Sequence, residues 1–191
     1  MNLKTLTPPS GEPLPLADAK AFARIGADFD DALIGRLIAA ARARIEAETG
    51  MALRRRTLRL TMNDWPLYVL ERGGLRLPMR PAAGLLAVRL TDGETSEDVT
   101  SSFELEAGLS PRLVTKPFGA WVWPRTIHQK IEIDWEAGFD TASDVPEDLV
   151  HAMKLIVAFV YEQRGNPAVS AHEDLSVRLE AALRPWREVQ L

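Results

Sequence analysis

Residues 145–165, VPEDLVHAMKLIVAFVYEQRG, begin like a surface helix and then become apolar on almost every side. Between Ala152 and Tyr161 the only charged residue is Lys154. Burying the apolar side chains of this segment would contribute roughly 10 to 25 kcal/mol before opposing terms are subtracted. One partner helix would leave much of this surface uncovered, so we expect the rest to lie against a sheet or a second subunit. The candidate subunit-interface residues are Met153, Ile156, Val157 and Val160.

The composition is that of a globular protein with one domain or two small ones, since 46% of the 191 residues are hydrophobic and 26% are charged. Cysteine is absent, which excludes disulfides, thiolate metal sites and a cysteine nucleophile. We expect a protein made in the bacterial cytoplasm and no membrane contact, because the sequence shows no signal-peptide pattern and no long apolar run. The net charge of -4 argues against a protein that grips duplex DNA by neutralising phosphates.

The N-terminal third predicts an arm followed by helices. Residues 1–15 hold four of the thirteen prolines and show no hydrophobic period, so we predict a flexible arm that can lie on a neighbour. Residues 16–50 predict two helices, the second with Asp28 as its N-cap and Gly50 as its left-handed C-terminal residue. The apolar stripe of that second helix consists of Leu33, Ile34, Leu37, Ile38, Ala41 and Ile45.

Residues 51–138 predict an inserted β segment, because short runs rich in β-branched and aromatic residues alternate with turn sequences such as TDGE and KPFG. In the clearest strand, residues 130–135, Ile131, Ile133 and Trp135 alternate with polar residues that include Asp134. The dipeptide at residues 92–93, Asp-Gly, predicts a hairpin turn. WVW at residues 121–123 reads as another strand.

Residues 139–165 predict the long apolar helix that completes the helical core, with Asp144 and Glu147 at capping-box spacing. Residues 166–191 predict a polar linker, NPAVSAHED, and a last short helix. The order helix, helix, strands, helix, helix indicates an α+β fold, in which N- and C-terminal helices form a bundle and the antiparallel β segment is inserted between them.

The sequence shows no pattern of catalytic, cofactor-binding or metal-ligating residues. His128, His151 and His172 lack any spacing that zinc ligands require, and the motifs of P-loops, dinucleotide-binding folds and nucleophile elbows are missing. One alternative interpretation of a cluster of acidic residues is a carboxylate pair for acid-base catalysis. Helix capping is the favoured interpretation of that cluster, which consists of Asp140, Asp144, Glu147 and Asp148. We therefore expect a protein that is not an enzyme.

Two further features allow both a structural and a functional interpretation. The favoured interpretation of Arg54, Arg55 and Arg56 is a charged edge strand that resists aggregation. The alternative is a basic patch that meets an acidic partner or passing DNA. The favoured interpretation of Trp121 and Trp123 is that both lie in the core, and the alternative is that they anchor an interface.

The order and spacing of these segments resemble one known family. The sequence resembles the head-tail connector, or adaptor, proteins of tailed bacteriophages in their long form. The segments that carry the resemblance are, in order, LADAKAFARI, DDALIGRLIAAARARIEAETGMAL, the β segment and IEIDWEAGFDTASDVPEDLVHAMKLIVAFVYEQRG. The resemblance covers about residues 14–187, and gene transfer agents carry the same component. The linker and the proline-rich arm have no counterpart in it.

The resemblance implies a homo-oligomeric ring, typically dodecameric, seated beneath the portal protein at the head-tail junction of the particle. Such a ring extends the DNA channel, joins head to tail through a tail-side connector or stopper protein, and carries out no catalysis. The C-terminal segment would then reach the portal as an amphipathic helix. The portal-binding residues would be Leu175, Leu179, Leu183 and Trp186.

The alternative interpretation is a nucleic-acid-binding accessory protein for DNA packaging, and its support is the cluster of Arg54, Arg55 and Arg56. An acidic protomer favours the adaptor, because a negative channel wall does not hold DNA as it moves.

Overall fold

The structure, a computed structural model, describes residues 1–26, 28–163 and 169–187, and for residues 169–174 the backbone alone. In chain order the elements are β1 (Asn2–Thr7), α1 (Leu16–Phe22), α2 (Asp31–Thr49), β2 (Arg56–Met62), α3 (Tyr68–Arg72), β3 (Leu75–Arg76), β4 (Ala82–Thr91), β5 (Ser96–Asp98), β6 (Phe103–Glu106), β7 (Arg112–Thr115), β8 (Lys130–Ala137), α4 (Glu147–Glu162) and α5 (Val169–Leu183). Short 3₁₀ helices lie at Thr100–Ser102, Ala142–Asp144 and Arg184–Trp186.

The chain forms two compact units. The β unit consists of Met1–Ser10 and Arg55–Gly138, and the helical unit consists of Gly11–Arg54 and Phe139–Leu191. The predicted fold class is confirmed: helices from both ends of the chain pack together, and an antiparallel β segment is inserted between them.

The β unit contains a five-stranded antiparallel sheet in the order β1-β2-β8-β4-β5 and a three-stranded sheet in the order β3-β7-β6. Strand β8 is central, and its predicted apolar face is confirmed, because Ile131, Ile133 and Trp135 are fully buried. The prediction of a solvated opposite face is wrong at Asp134, which is 5% exposed. The predicted hairpin also forms: β4 pairs with β5, Gly93 has a φ of 99°, and Asp92 Oδ1 accepts the N–H of Thr95 at 2.7 Å.

The prediction of a flexible arm is wrong for residues 2–7, because they form strand β1 and pair with β2 along its length. All six side chains of β1 are exposed, so main-chain hydrogen bonds dominate its attachment. The strand ends immediately before Pro8 and Pro9, and proline cannot donate to a sheet ladder.

The helical unit buries the facing stripes of α2, α4 and α5 in one core. On α2 the predicted stripe is confirmed at Ile34, Ile38, Ala41 and Ile45, whereas Leu33 and Leu37 are half-buried. From α4 and the turn before it, the core includes Val145, Leu149, Ala152, Met153, Ile156 and Val157.

The ends of α2 and α4 differ partly from the predicted caps. Gly50 has the expected left-handed conformation, with a φ of 66°. Asp28 does not cap α2, because its carboxylate accepts a 2.6 Å hydrogen bond from Lys20 Nζ instead. The capping box that forms is Thr141 with Asp144, and it belongs to the 3₁₀ helix before α4, so the predicted pairing of Asp144 with Glu147 is wrong.

Helix α5 begins earlier than the sequence reading placed it. Residues 169–174 of the predicted linker are helical, and residues 166–168 lie outside the described part of the chain. The physical reason is that neither glycine nor proline interrupts the chain between Val169 and Leu183, so the helix extends toward its N-terminus.

Candidate assembly surface

The apolar surface expected on α4 is covered by the helical unit itself. Met153, Ile156 and Val157 are at most 5% exposed and pack in the core with α2 and α5. Of the four proposed interface residues only Val160 is exposed, at 41%. The prediction that this helix has surplus apolar surface is therefore wrong, because three other helices and the turn segments of the same unit pack around it.

The proposed portal-binding stripe is also part of that core. Leu175, Leu179 and Leu183 are buried, and Trp186 is half-buried against the same cluster. On the opposite side of α5, Val177 is exposed. A portal contact through the leucine stripe would require the helix to leave its own unit, which the sequence interpretation did not anticipate.

The arginine cluster does not form one exposed basic patch. Arg56 is buried, and Arg54 and Arg55 are half-buried. Arg54 Nη1 donates to the Asp140 carbonyl at 2.8 Å, and Arg55 Nη1 lies 3.4 Å from Glu136 Oε2. The interpretation as a charged edge strand is wrong, because only Arg56 belongs to β2 and that strand lies between β1 and β8. Contact of the cluster with DNA or a partner stays a prediction.

Exposed apolar side chains lie mainly in the β unit. Within the described residues, the large ones of this unit are Met1, Leu3, Leu6, Leu67, Tyr68, Leu70, Leu86, Leu109, Phe118, Trp123 and Ile127. Those of the helical unit are Phe22, Phe29, Val160 and Val177. Within the described residues, exposed apolar side chains are therefore more numerous in the β segment than on the long helix.

The most exposed part of this surface is the loop at residues 116–129, between β7 and β8, which we call the aromatic loop. Phe118 is fully exposed, and Ile127 is 94% exposed. Phe118 also has a φ of 63°, a conformation that is uncommon for a bulky residue. A hydrogen bond of 2.8 Å from the Gly119 N–H to the Lys116 carbonyl closes the turn at this point. Strain of this kind concentrates at binding sites, because the surrounding structure has to impose it.

A buried aromatic cluster holds the aromatic loop in place. Trp65 is 3% exposed, and its Nε1 donates to the Val122 carbonyl at 2.8 Å. The ring of Trp121 packs edge-on against Trp65, with centroids 4.7 Å apart, and lies 5.4 Å from the ring of Phe103. The loop is thus fixed from within while its apolar tips face outward.

The structure resolves the two interpretations of Trp121 and Trp123 differently for each residue. Trp121 is half-buried and packs in the aromatic cluster, which agrees in part with the core interpretation, whereas Trp123 is 37% exposed. Residues 121–123 are not a strand, because Trp65 bonds to their backbone where a neighbouring strand would. Sequence reasoning missed Phe118; a large aromatic residue inside a Pro-Phe-Gly turn was the signal available for it.

The outward face of the five-stranded sheet carries paired charges. Asp134 is 5% exposed, and its carboxylate receives bonds of 2.7 Å from Arg59 Nε and from Arg89 Nη1. Burial disfavours its charged form, but the hydrogen bonds from the two arginines outweigh burial and hold the pKa of Asp134 below its ordinary value. Arg59 Nη1 also lies 2.9 Å from Glu132. This network joins three neighbouring strands of the sheet.

Two other titratable residues singled out from the sequence, His151 and Asp144, have structural contacts. The ring of His151 packs edge-on against Phe22, with centroids 5.7 Å apart, and Asp144 caps its own short helix. The side chain of His172 lies outside the described part of the chain. Among the described residues, no three histidine or acidic side chains converge as metal ligands. None of the helices in the described ranges combines the length and apolar character needed to span a membrane.

Comparison with known proteins places this architecture in one class. Residues 14–104 match the model of the phage gp6-like head-tail connector proteins. A chain in the virion of a native gene transfer agent particle is 28% identical, with a TM-score of 0.83, and the match covers 100% of this chain and 97% of that one. A chain from the neck of an empty gene transfer agent particle, computed with C6 symmetry, is 30% identical, with a TM-score of 0.83 and the same coverage.

A third similar chain comes from the neck of a native gene transfer agent particle computed with C12 symmetry, and it is 28% identical with a TM-score of 0.79. The match covers 100% of this chain and 97% of that chain. No curated protein is significantly similar in sequence. The chain belongs to the head-tail connector family, and the resemblance noted from its sequence is confirmed.

Proposed function

We propose that this protein is a structural adaptor that forms a ring in the neck of a tailed phage or a gene transfer agent, at the junction of head and tail. The observation that carries the proposal is the full-length similarity to chains of gene transfer agent necks at up to 30% identity. A ring of twelve copies is supported by the C12 symmetry used for one of those necks. Its role is to continue the DNA channel and to join a portal protein to a tail-side connector or stopper.

The aromatic loop supports a specific mode of assembly. A ring is built from heterologous contacts, in which each copy presents two different surfaces, so an exposed apolar surface on one copy meets a different surface on the next. Phe118, Trp123 and Ile127 offer such a surface, and their exposure in the single chain is explained if a second copy covers them. We therefore replace the proposed interface on α4 by the aromatic loop.

The portal contact of the C-terminal segment remains part of the proposal in a changed form. With α5 folded as in this structure, its outward side, which includes Val177, is the side available to a portal. The interpretation as a packaging accessory protein loses its main support, because the arginines that suggested it are half-buried or buried and bonded within the chain.

The experiment that tests this function is imaging of particles assembled without this protein. We expect heads and tails that fail to join, and joined particles when the wild-type chain is supplied again. Averaged images of the restored necks should contain density for a ring of this protein. Joined, infectious or DNA-transferring particles in its absence would contradict the proposal.

A further inference from the structure

The β unit contains a basic pocket that neither the sequence analysis nor the family assignment explains. Its volume is about 460 Å³, and it is lined by Tyr68, Arg72, Gly74, Arg76 and Arg112. The three arginines come from α3, β3 and β7, and the fold brings them together across 40 residues of sequence. Arg72 and Arg76 are exposed at its mouth.

The strand register places two of these arginines side by side. Arg76 on β3 and Arg112 on β7 are direct partners in an antiparallel pair. Like charges in directly opposite positions destabilise a sheet unless a counter-charge is present. Glu106, the partner of Arg112 on β6, has its Oε2 3.7 Å from Arg112 Nη1, so it offsets part of this charge from the other side. The pocket lining itself consists of cationic, aromatic and glycine residues.

Gly74 leaves the space that the Arg112 guanidinium occupies. A Cβ at residue 74 would lie 2.9 Å from Val114 Cγ1, 3.0 Å from Arg112 Nη2 and 3.1 Å from Arg112 Nε. The same Nη2 donates a hydrogen bond to the Arg72 carbonyl. The guanidinium therefore lies against the backbone, in space that only glycine leaves free, and it is held in place before any ligand arrives. This gives the Gly73-Gly74 turn a role beyond reversing the chain.

The chemistry of the pocket fits a phosphate group. Guanidinium groups bind oxyanions through planar pairs of donors, and one arginine is enough to saturate a carboxylate in this way. Three arginines carry more positive charge than one carboxylate neutralises, and Glu106 beside Arg112 offsets only part of it. Tyr68, which is 37% exposed, adds a hydroxyl donor and an aromatic surface of the kind on which nucleotides stack.

We propose that the pocket of Arg72, Arg76 and Arg112 binds a phosphate group of DNA. The inference rests on the proposed function, because the DNA in a particle neck is the polyanion that would reach this pocket. On a chain with a net charge of -4 the contact is local, so that it positions a strand without holding the duplex along its length.

Fluorescence anisotropy with the purified full-length chain and a short 5′-phosphorylated duplex tests the proposal. We expect Arg72→Gln, Arg76→Gln and Arg112→Gln each to weaken binding about tenfold, since each removes a charge-assisted contact. Each should also reduce the slope of log K against log salt by about one. The matched control is Arg125→Gln, an exposed arginine of the same unit outside the pocket, which should change affinity by less than about twofold.

Additional arms identify the source of the phosphate. Inorganic phosphate should compete with the duplex, and a duplex with 5′-hydroxyl ends separates terminal from backbone phosphates. Equal loss of affinity in Arg125→Gln and the pocket variants would overturn the proposal, because binding would then follow net charge alone. Absence of DNA binding by the wild-type chain would also overturn it, and binding of a labelled polyglutamate peptide would then favour an acidic protein partner. If Arg112→Gln fails to fold, the exposed Arg72→Gln still decides the question.

The same variants separate this proposal from the proposed function. If Arg72→Gln enters particle necks and retains wild-type affinity for DNA, the phosphate site is wrong and the adaptor function stands. If the wild-type chain binds DNA through the pocket but does not restore joined particles, the adaptor function is wrong and the phosphate site stands.

Discussion

At the scale of single residues, Asp134 shows how a buried charge can be compatible with a stable sheet. The alternation of β8 predicted an outward, solvated position, and the side chain does lie on that face. It is nevertheless almost fully covered, because the long side chains of Arg59 and Arg89 from the two flanking strands close over it. Burial of a carboxylate is unfavourable without partners, and the two arginines provide them.

Replacing Asp134 by asparagine should therefore destabilise the protein by about 2 kcal/mol, since it removes charge-assisted hydrogen bonds and leaves two arginines facing each other. Urea denaturation measures this change. Glu94→Gln, at an exposed turn, is the control and should change the free energy of unfolding by less than about 0.5 kcal/mol.

The pH dependence of stability checks the same contact. The folded-state pKa of Asp134 lies below its ordinary value of 3.8, so its contribution is fully present above that value and is lost as pH falls through the folded-state pKa. In Asp134→Asn this part of the acid sensitivity should be missing. An asparagine variant with wild-type stability and wild-type acid sensitivity would show that the arginines contribute nothing through this carboxylate.

At the scale of elements, the long apolar helix and the last helix have the same explanation. The sequence of α4 is apolar on several sides because α1, α2 and α5 all pack around it, and the turn segments at Leu14, Met51 and Leu53 join the same core. A hydrogen bond of 2.5 Å from the Tyr161 hydroxyl to the Asp30 carboxylate connects the end of α4 to the start of α2. The surplus inferred from α4 in isolation disappears when all partners are present.

Leu179→Ala distinguishes a core role from a portal contact for α5. We expect a loss of 2 to 5 kcal/mol, roughly the range for a large-to-small change in a core, measured by urea denaturation of the free protein. Val177→Ala, two residues away on the exposed side, should change stability by less than about 0.5 kcal/mol. If Leu179→Ala keeps full stability and loses only its association with portal rings, the leucine stripe is a portal contact and not a core element.

At the scale of the whole molecule, the contrast between the two units has functional meaning. The helical unit encloses its apolar stripes, whereas the β unit exposes an aromatic loop and a basic pocket. A component of a ring needs a stable body and a surface that neighbours can cover, and these two properties lie in different parts of this chain.

Phe118→Ser should reduce the incorporation of this protein into particle necks while leaving the free energy of unfolding within about 0.5 kcal/mol of the wild type, because the side chain is fully exposed. Phe29→Ser is the matched control: Phe29 is also a strongly exposed phenylalanine, but it belongs to the helical unit. Particle imaging and quantification of the protein in purified necks measure the effect. Equal incorporation of both variants would exclude the aromatic loop as the assembly surface.

Much of the fold could be predicted from sequence, because local signals act over a few residues. The helical period of α2, the period of two in β8, the Asp-Gly hairpin and the glycine at residue 50 each specify a conformation through nearby contacts. The order of the segments, with Tyr161 near the end of the long helix, also carried the family resemblance that the comparisons confirm.

The locations of the proposed assembly surface and of the basic pocket were decided by the tertiary structure alone. Whether an apolar residue faces a core or a partner depends on neighbours that are distant in sequence, so Met153 became core and Phe118 remained exposed. In the same way, the pairing of β7 with β3 brings Arg72 and Arg112 together. The cluster at Arg54–Arg56 does not form one basic patch, because its members bond to separate groups. Sequence periodicity determines which side of an element is apolar, and only packing determines what that side meets.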